Sequence, residues 1–92
     1  MLLSENEISE KLKSIENWEK QGKEITRTFK FKNFIESIGF VNRIAILAEK
    51  ADHHPDILIQ YNRVRINLST HSDGGITDKD FKLAGQIEGL SG

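Results

Sequence analysis

Residues 33–55 read NFIESIGFVNRIAILAEKADHHP, and this stretch decides the fold. Its apolar residues recur at spacings of three and four, which places them on one face of a helix. The stripe consists of Phe34, Ile38, Val41, Ala45 and Ala48, widened by Ile35, Ile44 and Leu47. Asn33 can cap the start of this helix. Because Pro55 disfavours helical geometry in the residue before it, we expect the helix to end at about Asp52 or His53.

Two hairpins flank this central helix. Upstream, apolar and polar residues alternate from Glu24 to Phe31, with Arg27 interrupting the apolar face, and this pattern predicts two strands around Gln21-Gly22-Lys23. Downstream, one alternating pattern includes Ile57 and Ile59, and the next includes Val64, Ile66 and Leu68. The short spacing between these two patterns predicts a tight turn near Tyr61-Asn62-Arg63.

A helix is expected at each end of the chain. Ser4-x-x-Glu7 is a capping-box pattern that predicts a first helix over roughly residues 5–15. Gly74-Gly75 interrupts the last strand pattern, and Thr77-x-x-Asp80 forms a second capping box before a closing helix. The predicted order of elements is therefore αββαββα.

This order predicts an α+β fold in a single domain, residues 1–92. The two hairpins would form a four-stranded antiparallel sheet with the helices packed on one face, because each hairpin has one apolar side. The opposite face would be polar and exposed to solvent. It would carry Thr26, Thr28, Lys30, Arg63, Arg65 and Asn67.

The composition excludes several classes of function. The chain has 13 lysines and arginines against 14 aspartates and glutamates, a net charge of -1, so it lacks the excess of basic residues that nucleic-acid binding favours. It contains no cysteine, which excludes disulfides, thiolate metal sites and cysteine nucleophiles. No apolar run approaches the ~18 residues of a membrane span. We therefore expect a cytoplasmic protein whose partners include neither nucleic acid nor membrane.

All three histidines lie within a short part of the chain. His53 and His54 follow the central helix, and His71 follows the last predicted strand. In an antiparallel hairpin, the segment before the first strand and the segment after the second meet at one edge of the sheet. We therefore expect the three histidines to approach one another beside the carboxylates Glu49, Asp52 and Asp73, although three unrelated surface histidines remain the alternative.

Other chemistries fit this pattern less well. A three-histidine zinc site would require His53 and His54 to converge on one ion, and adjacent residues leave the backbone in different directions. Ser69 and Ser72 flank His71, but sequence neighbours on a strand do not face each other, and no Gly-x-Ser-x-Gly turn is present. Gly74-Gly75 lacks the spacing and the lysine of a nucleotide-binding loop. We therefore expect neither a metal nor a cofactor.

General acid–base catalysis on a small molecule remains. Imidazoles exchange protons near neutral pH, so a cluster of them can remove a proton at one atom and protonate a leaving group at another. Glu49 stands four residues before His53, and the two would share a helical face if the helix extends that far. A carboxylate there would favour the charged imidazole, or it would form an ordinary ion pair at the helix end.

The residues that carry this pattern resemble those of the pterin-4a-carbinolamine dehydratases. The similarity rests on a double histidine followed by proline, then a Thr-His pair and a Gly-Ile-Thr-x-x-Asp segment. It extends over nearly the whole chain, from about Trp18 to Ile87. The matching segments are Ala48-Glu49-Lys50-Ala51-Asp52-His53-His54-Pro55, Tyr61-Asn62-Arg63-Val64, Ser69-Thr70-His71, Gly75-Ile76-Thr77, Asp80 and Leu83-Ala84, with Trp18, Arg27, Phe29-x-Phe31, Phe34 and Phe40 upstream.

The resemblance implies a hydro-lyase that converts 4a-hydroxytetrahydrobiopterin, or a related 4a-hydroxytetrahydropterin, to the quinonoid dihydropterin and supports tetrahydrobiopterin recycling. It implies a pterin site lined by His53, His54, Pro55, Thr70, His71, Ser72 and Asp73. Members of the family form dimers and tetramers, so we also expect self-association. Some members act as dimerisation cofactors of a homeodomain transcription factor, a role that nothing in this chain indicates.

The reaction requires a proton to leave ring N5 and another to reach the hydroxyl on C4a. We expect His53 and His71 to address that hydroxyl and His54 to bind the ring and assist at N5. Glu49, Asp52 and Asp80 would support them, although the capping box alone accounts for Asp80. The alternative function is a non-catalytic dimerisation or binding module that uses the same pocket or the open face of the sheet.

Overall fold

The computed structural model describes residues 1–91. The elements within them are α1 (Glu5–Leu12), β1 (Glu19–Gln21), β2 (Glu24–Lys30), α2 (Phe34–Ala51), β3 (Asp56–Gln60), β4 (Arg63–Leu68), a 3₁₀ turn (His71–Asp73) and α3 (Asp78–Ser91). Apart from the short 3₁₀ turn, the order is αββαββα, as the sequence predicts. The α+β fold is therefore confirmed.

The four strands form one antiparallel sheet in the order β1-β2-β4-β3. Tight turns close both hairpins at backbone conformations with positive φ, at Gly22 (60°) and at Tyr61 (51°). Ile66 on β4 lies opposite Arg27 on β2 and opposite Ile57 on β3. This register places the apolar residues of the inner strands on the face that the helices cover.

The core lies between that face and the helices. Phe40 and Ile44 of α2 and Ile87 of α3 are fully buried, and the ring centroids of Phe29 and Phe40 are 4.7 Å apart. Burying each such side chain contributes about 1.5–3 kcal/mol. The packing fixes α2 and α3 against one sheet, and this brings the end of α2 to the start of α3.

The first helix is shorter than the sequence predicts. Its capping box is present, with Glu7 N donating to Ser4 Oγ (3.1 Å) and Ser4 N donating to Glu7 Oε1 (2.8 Å). However, α1 ends at Leu12 because the following amides, up to Ile15, donate to carbonyls three residues back, which tightens the chain into turns. Ile15 still packs against the core from this turn.

Arg27 interrupts the apolar face of β2, and the structure explains how a charged residue is accommodated there. Its guanidinium pairs with Glu88 of α3 and lies 4.1 Å from the centroid of the Phe29 ring. Trp18 Nε1 also donates to Glu88, at 2.6 Å. A partly buried charge is tolerated when it is paired and hydrogen-bonded, so these contacts join β2 to α3.

The opposite face of the sheet is mostly polar, as predicted, although Leu58 of β3 is exposed on it opposite Arg65. Thr26 Oγ1 donates to Asn67 Oδ1 (2.6 Å), and Arg65 donates to both and to Gln21 Oε1 (2.6 Å). These bonds connect β1, β2 and β4 across the open face. Among residues 1–91, no helix has the length and apolarity needed to cross a membrane.

Candidate active site

The end of α2 determines where the histidine pair points. The helix stops at Ala51, and Asp52 adopts a left-handed conformation (φ 49°, ψ 43°). His53 N then donates back to the carbonyl of Ala48 at 3.1 Å. A left-handed residue followed by such a bond reverses the chain direction at a helix C-terminus, so His53 leaves the surface of α2 and faces α3.

A buried carboxylate receives His53. Asp80, in the first turn of α3, has no exposed surface, and its Oδ1 lies 2.6 Å from His53 Nε2. Its Oδ2 accepts the hydroxyl of Thr70 at 3.0 Å and the backbone N–H of Thr77 at 2.9 Å. A buried charge is costly unless it is hydrogen-bonded, and here the protein supplies three donors.

The hydrogen bonds continue beyond the carboxylate. Thr70 Oγ1 and Thr77 Oγ1 are 2.7 Å apart, and the Lys79 amide donates to Thr77 Oγ1 at 3.2 Å. Because Thr70 donates to Asp80, Thr77 must donate its hydroxyl proton to Thr70. Asp80 therefore caps the start of α3 as the sequence predicts, and it also binds a histidine that the capping pattern does not involve.

These contacts determine which nitrogen of His53 can do chemistry. An ionised carboxylate only accepts hydrogen bonds, so Nε2 of His53 carries the proton that points to Asp80. The other nitrogen, Nδ1, then presents a lone pair, and the side chain of His53 is 11% exposed. His53 is thus a ring that Asp80 holds in place through Nε2, and its Nδ1 has no hydrogen-bond partner among the described residues.

A cleft of about 410 Å³ opens between α2 and α3 next to His53. Leu47 and Ala51 of α2 and Leu83 of α3 supply apolar walls, and lysine side chains stand at its margin. We refer to it as the α2–α3 cleft. Its size lies within the range of small-molecule sites, which are mostly apolar with a few oriented polar groups.

His54 occupies a different environment from His53. Its Nε2 lies 2.5 Å from Glu49 Oε2, and both side chains are largely exposed. The expected pairing of Glu49 with His53 is therefore wrong. The reason is the left-handed Asp52, which ends the helix before the four-residue spacing can bring Glu49 and His53 together. Asp52 itself lies exposed at this bend.

The segment after β4 forms a compact turn that carries His71. Thr70 and Gly75 form a β-bridge, and Gly74 reverses the chain at a φ of 78°. His71 and Ser72 are exposed, and Ser72 Oγ donates to Asp73 Oδ1 at 3.2 Å. The N-terminal ammonium lies 2.6 Å from Asp73 Oδ2; together with Ser72 it lowers the pKa of the Asp73 carboxyl.

The structure thus brings together part of the expected site. His53 and Thr70, which immediately precedes His71, bind the same carboxylate, so the end of α2 and the end of β4 meet at Asp80. His54 and His71, the sequence neighbours of His53 and Thr70, are exposed and form no direct bond to Asp80. In residues 1–91, no cluster of three or more histidine, aspartate or glutamate side chains has an arrangement suited to a metal ion.

The sequence patterns do not indicate that Thr77 belongs to the site, and they indicate no hydrogen-bond partner for Thr70. A signal for Thr70 was available. It continues the alternation of Val64, Ile66 and Leu68, which predicts an inward-facing side chain, and a buried hydroxyl needs a hydrogen-bond partner. Thr77 was recognisable only as a helix cap, because no local pattern shows that its hydroxyl extends a network.

The comparisons with known proteins agree on one family. A sequence profile described as pterin 4 alpha carbinolamine dehydratase matches residues 1–90. A protein of Sulfolobus acidocaldarius is 53% identical over 87 residues, covering 95% of this chain and 96% of its own. One from Picosynechococcus is 53% identical over 88 residues, covering 96% of both chains. Both carry the name pterin-4-alpha-carbinolamine dehydratase as a provisional assignment.

Two solved structures have a similar fold. The crystal structure of a transcriptional coactivator/pterin dehydratase from Brucella melitensis aligns over the whole of both chains, with a TM-score of 0.96 and 41% identity. A pterin dehydratase-like protein, identified as a RuBisCO assembly factor in the alpha-carboxysome, aligns with a TM-score of 0.71 and 25% identity. That alignment covers 85% of this chain and 93% of the other.

Proposed function

Because this chain belongs to the pterin-4-alpha-carbinolamine dehydratase family, we propose that it catalyses the dehydration of a 4a-hydroxytetrahydropterin. The substrate would be 4a-hydroxytetrahydrobiopterin or a related compound, and the product the quinonoid dihydropterin, which supports recycling of the tetrahydropterin. The single observation that carries the proposal is the fully buried Asp80 carboxylate that holds His53 at the edge of the α2–α3 cleft.

The reaction consists of two proton transfers around one bond cleavage. The N5–H bond breaks and its electron pair forms the second bond between N5 and C4a, while the C4a–O bond breaks and its pair leaves with the hydroxyl. A proton delivered to that oxygen lets it depart as water. No electron is gained or lost overall, so general acids and bases suffice.

His53 is suited to proton transfer because its ring is fixed by Asp80 and only Nδ1 is free. In the proposed mechanism the protonated ring of His53, held in position by Asp80, delivers a proton from Nδ1 to the departing hydroxyl. Asp80 is a positioning residue here, since it reaches the substrate only through His53. A bound general acid of this kind contributes about 10²- to 10⁴-fold in rate.

The other residues contribute from the surface beside His53. We assign His71 to the same hydroxyl from the opposite side, and His54 to binding of the pterin ring and to N5. Pro55, Ser72 and Asp73 complete the ring site in this proposal. Thr70 acts through its bond to Asp80, because it is only 3% exposed and cannot offer its hydroxyl to a ligand.

A non-catalytic binding module is the second candidate. The observation that favours it is the similarity to the pterin dehydratase-like protein identified as a RuBisCO assembly factor. The two candidates differ in what they require of His53. A binding surface needs shape and charge, whereas a dehydratase needs a nitrogen that exchanges a proton during turnover.

The test is the rate at which a freshly generated 4a-hydroxytetrahydropterin loses water with and without the protein. The blank is essential, because carbinolamines lose water unaided. We expect the protein to accelerate the reaction at substoichiometric concentration, and to do so equally after exhaustive treatment with a chelator. No acceleration over the blank would favour the binding module, and activity that chelation abolishes and zinc restores would replace acid–base catalysis by a metal mechanism.

A further inference from the structure

Three lysines surround the α2–α3 cleft. Lys50 lies at the end of α2, and Lys79 and Lys82 lie on the first turns of α3. The other residues that line the cleft are apolar or neutral, apart from His53, and none of them is acidic. The cleft therefore combines an apolar interior with a positive margin.

Of the nine lysines in the sequence, three form ion pairs within residues 1–91 and six, including the three at the cleft, do not. Lys11, Lys13 and Lys20 each lie within 3.5 Å of a carboxylate oxygen. In the part of the chain that the structure describes, none of the three cleft lysines forms such an ion pair. Asp80 follows Lys79 in the sequence, but its carboxylate is buried and already accepts hydrogen bonds from three donors. The cleft lysines therefore have no carboxylate within ion-pair distance, and Asp73, whose carboxylate interacts electrostatically with Lys79, does not line the cleft.

This placement is notable because the chain as a whole is slightly acidic, with a net charge of -1. Lys79 and Lys82 also stand near the N-terminus of a 14-residue helix, whose peptide dipoles add partial positive charge at that end. Charges of one sign gathered beside an apolar wall raise the local concentration of a ligand of the opposite sign.

We propose that the physiological substrate is a pterin whose side chain carries an anion, either a carboxylate or a phosphate. This inference rests on the proposed function and narrows its substrate class. The ring would place C4a at His53, and the anionic side chain would extend along the cleft to the lysines. A pterin with a neutral side chain would still fit the ring site, but it would leave the lysines without a ligand.

The expected size of the preference follows from Coulomb interactions in a solvated cleft. An exposed ammonium several ångströms from an anion contributes about a two- to threefold gain in affinity at low salt. Three such groups together give roughly tenfold. Salt screens exposed charges, so the preference should shrink as ionic strength rises.

The test uses stable, fluorescent oxidised pterins as probes. The dissociation constants of 6-carboxypterin, of the phosphate ester of 6-hydroxymethylpterin and of neutral 6-hydroxymethylpterin are measured by titration against the whole protein. The key variant is Lys79→Gln/Lys82→Gln. Its matched control is Lys23→Gln/Lys32→Gln, which removes the same charge from exposed positions outside the cleft.

We expect one or both anionic pterins to bind about tenfold more tightly than the neutral pterin in the wild type and in the control. The ratio should fall to about two in Lys79→Gln/Lys82→Gln, and the two anionic probes would show whether carboxylate or phosphate is preferred. Equal affinity for all three pterins, or a ratio that the cleft variant leaves unchanged, would overturn the inference.

The dehydration assay separates failure of this inference from failure of the proposed function. If the protein turns over a neutral 4a-hydroxytetrahydropterin but shows no preference for anionic probes, the proposed dehydratase function stands. Only the inference of an anionic substrate side chain then fails. Failure to bind any of the three pterins, together with no turnover, would overturn both.

Discussion

Asp80 is a fully buried carboxylate whose partners come from three separate segments of the chain. Capping α3 requires only the bond to the Thr77 amide. The bonds to Thr70 and His53 join the end of β4 and the end of α2 to the same residue. A carboxylate at this position therefore serves both the fold and the orientation of a histidine ring.

Replacing Asp80 by asparagine should lower kcat by about 10²-fold with a smaller change in KM. An amide has one oxygen, so it cannot accept from His53 and from the Thr70 and Thr77 donors in the same way. If its NH₂ group faces His53, the ring must change tautomer and lose the free lone pair on Nδ1. Steady-state dehydration kinetics well below the melting temperature would measure the effect.

The matched control is Asp78→Asn, which removes a carboxylate from the same turn of α3 at an exposed position paired with Lys11. We expect its kcat to stay within about twofold of the wild type. A wild-type kcat and pH–rate profile in Asp80→Asn, with the protein folded, would show that the carboxylate does not act through His53.

His54 should behave differently from His53 because it is exposed and bonded to Glu49 instead of to a buried group. We predict that His54→Ala raises KM more than it lowers kcat, since a residue that binds the ring contributes equally to ground-state and transition-state binding. The separate determination of kcat and KM checks this. A loss confined to kcat would mean that His54 is the principal proton-transfer group.

At the scale of elements, the end of α2 controls the site. Asp52 provides the left-handed residue that turns the chain, and its side chain is exposed there. We predict that Asp52→Gly keeps both kcat and stability, because glycine adopts this conformation without strain. Asp52→Val should lower the free energy of unfolding by about 1–2 kcal/mol, since a β-branched residue is strained in this region. Chemical denaturation of both variants measures the difference.

If Asp52→Gly instead lost activity while remaining as stable as the wild type, the carboxylate of Asp52 would have a direct part in the reaction. That result would support the role in the site that the sequence suggests for Asp52. The paired substitutions therefore separate the backbone conformation at residue 52 from the chemistry of its side chain.

Elements with strong periodicity could be predicted from the sequence. The central helix and the order αββαββα follow from local spacing. The buried face of that helix differs from the predicted stripe, because Phe34 and Ile35 are 50% and 81% exposed. Its buried residues are Ser37, Phe40, Ile44 and Ala48. The length of α1 could not be predicted, because the amides after Leu12 change from four-residue to three-residue bonding without any clear signal such as proline or glycine. Periodicity gives the type of an element more reliably than its end.

The site was predictable in its composition and only partly in its contacts. Hairpin topology predicts that the two histidine-bearing segments meet at one sheet edge, and in the structure His53 and Thr70 of these segments bind the same residue, Asp80. The partners of Glu49 and His53 could not be derived, because both depend on one left-handed residue. No glycine or other clear signal in the sequence marks Asp52 as the left-handed residue.

At the scale of the whole molecule, we predict that the protein self-associates, with a dimer as the minimal unit. A domain of this size buries a limited share of its surface, and an edge strand leaves backbone groups unpaired. Here β3 is an edge strand, and Ile35 and Ile46 of α2 are 81% and 59% exposed. Sedimentation equilibrium at micromolar concentration should give at least twice the 10.5 kDa chain mass, and a stable monomer there would contradict the prediction.

The central claim is that His53, held by a buried carboxylate, transfers a proton during dehydration of a 4a-hydroxytetrahydropterin. The most direct measurement is kcat for His53→Ala in the dehydration assay, corrected for the blank, beside the control variant Lys23→Gln. We predict a fall of about 10²- to 10⁴-fold, or roughly 3–5 kcal/mol of barrier, with the control unchanged. A wild-type kcat in folded His53→Ala would contradict the account and leave the histidines as a binding surface.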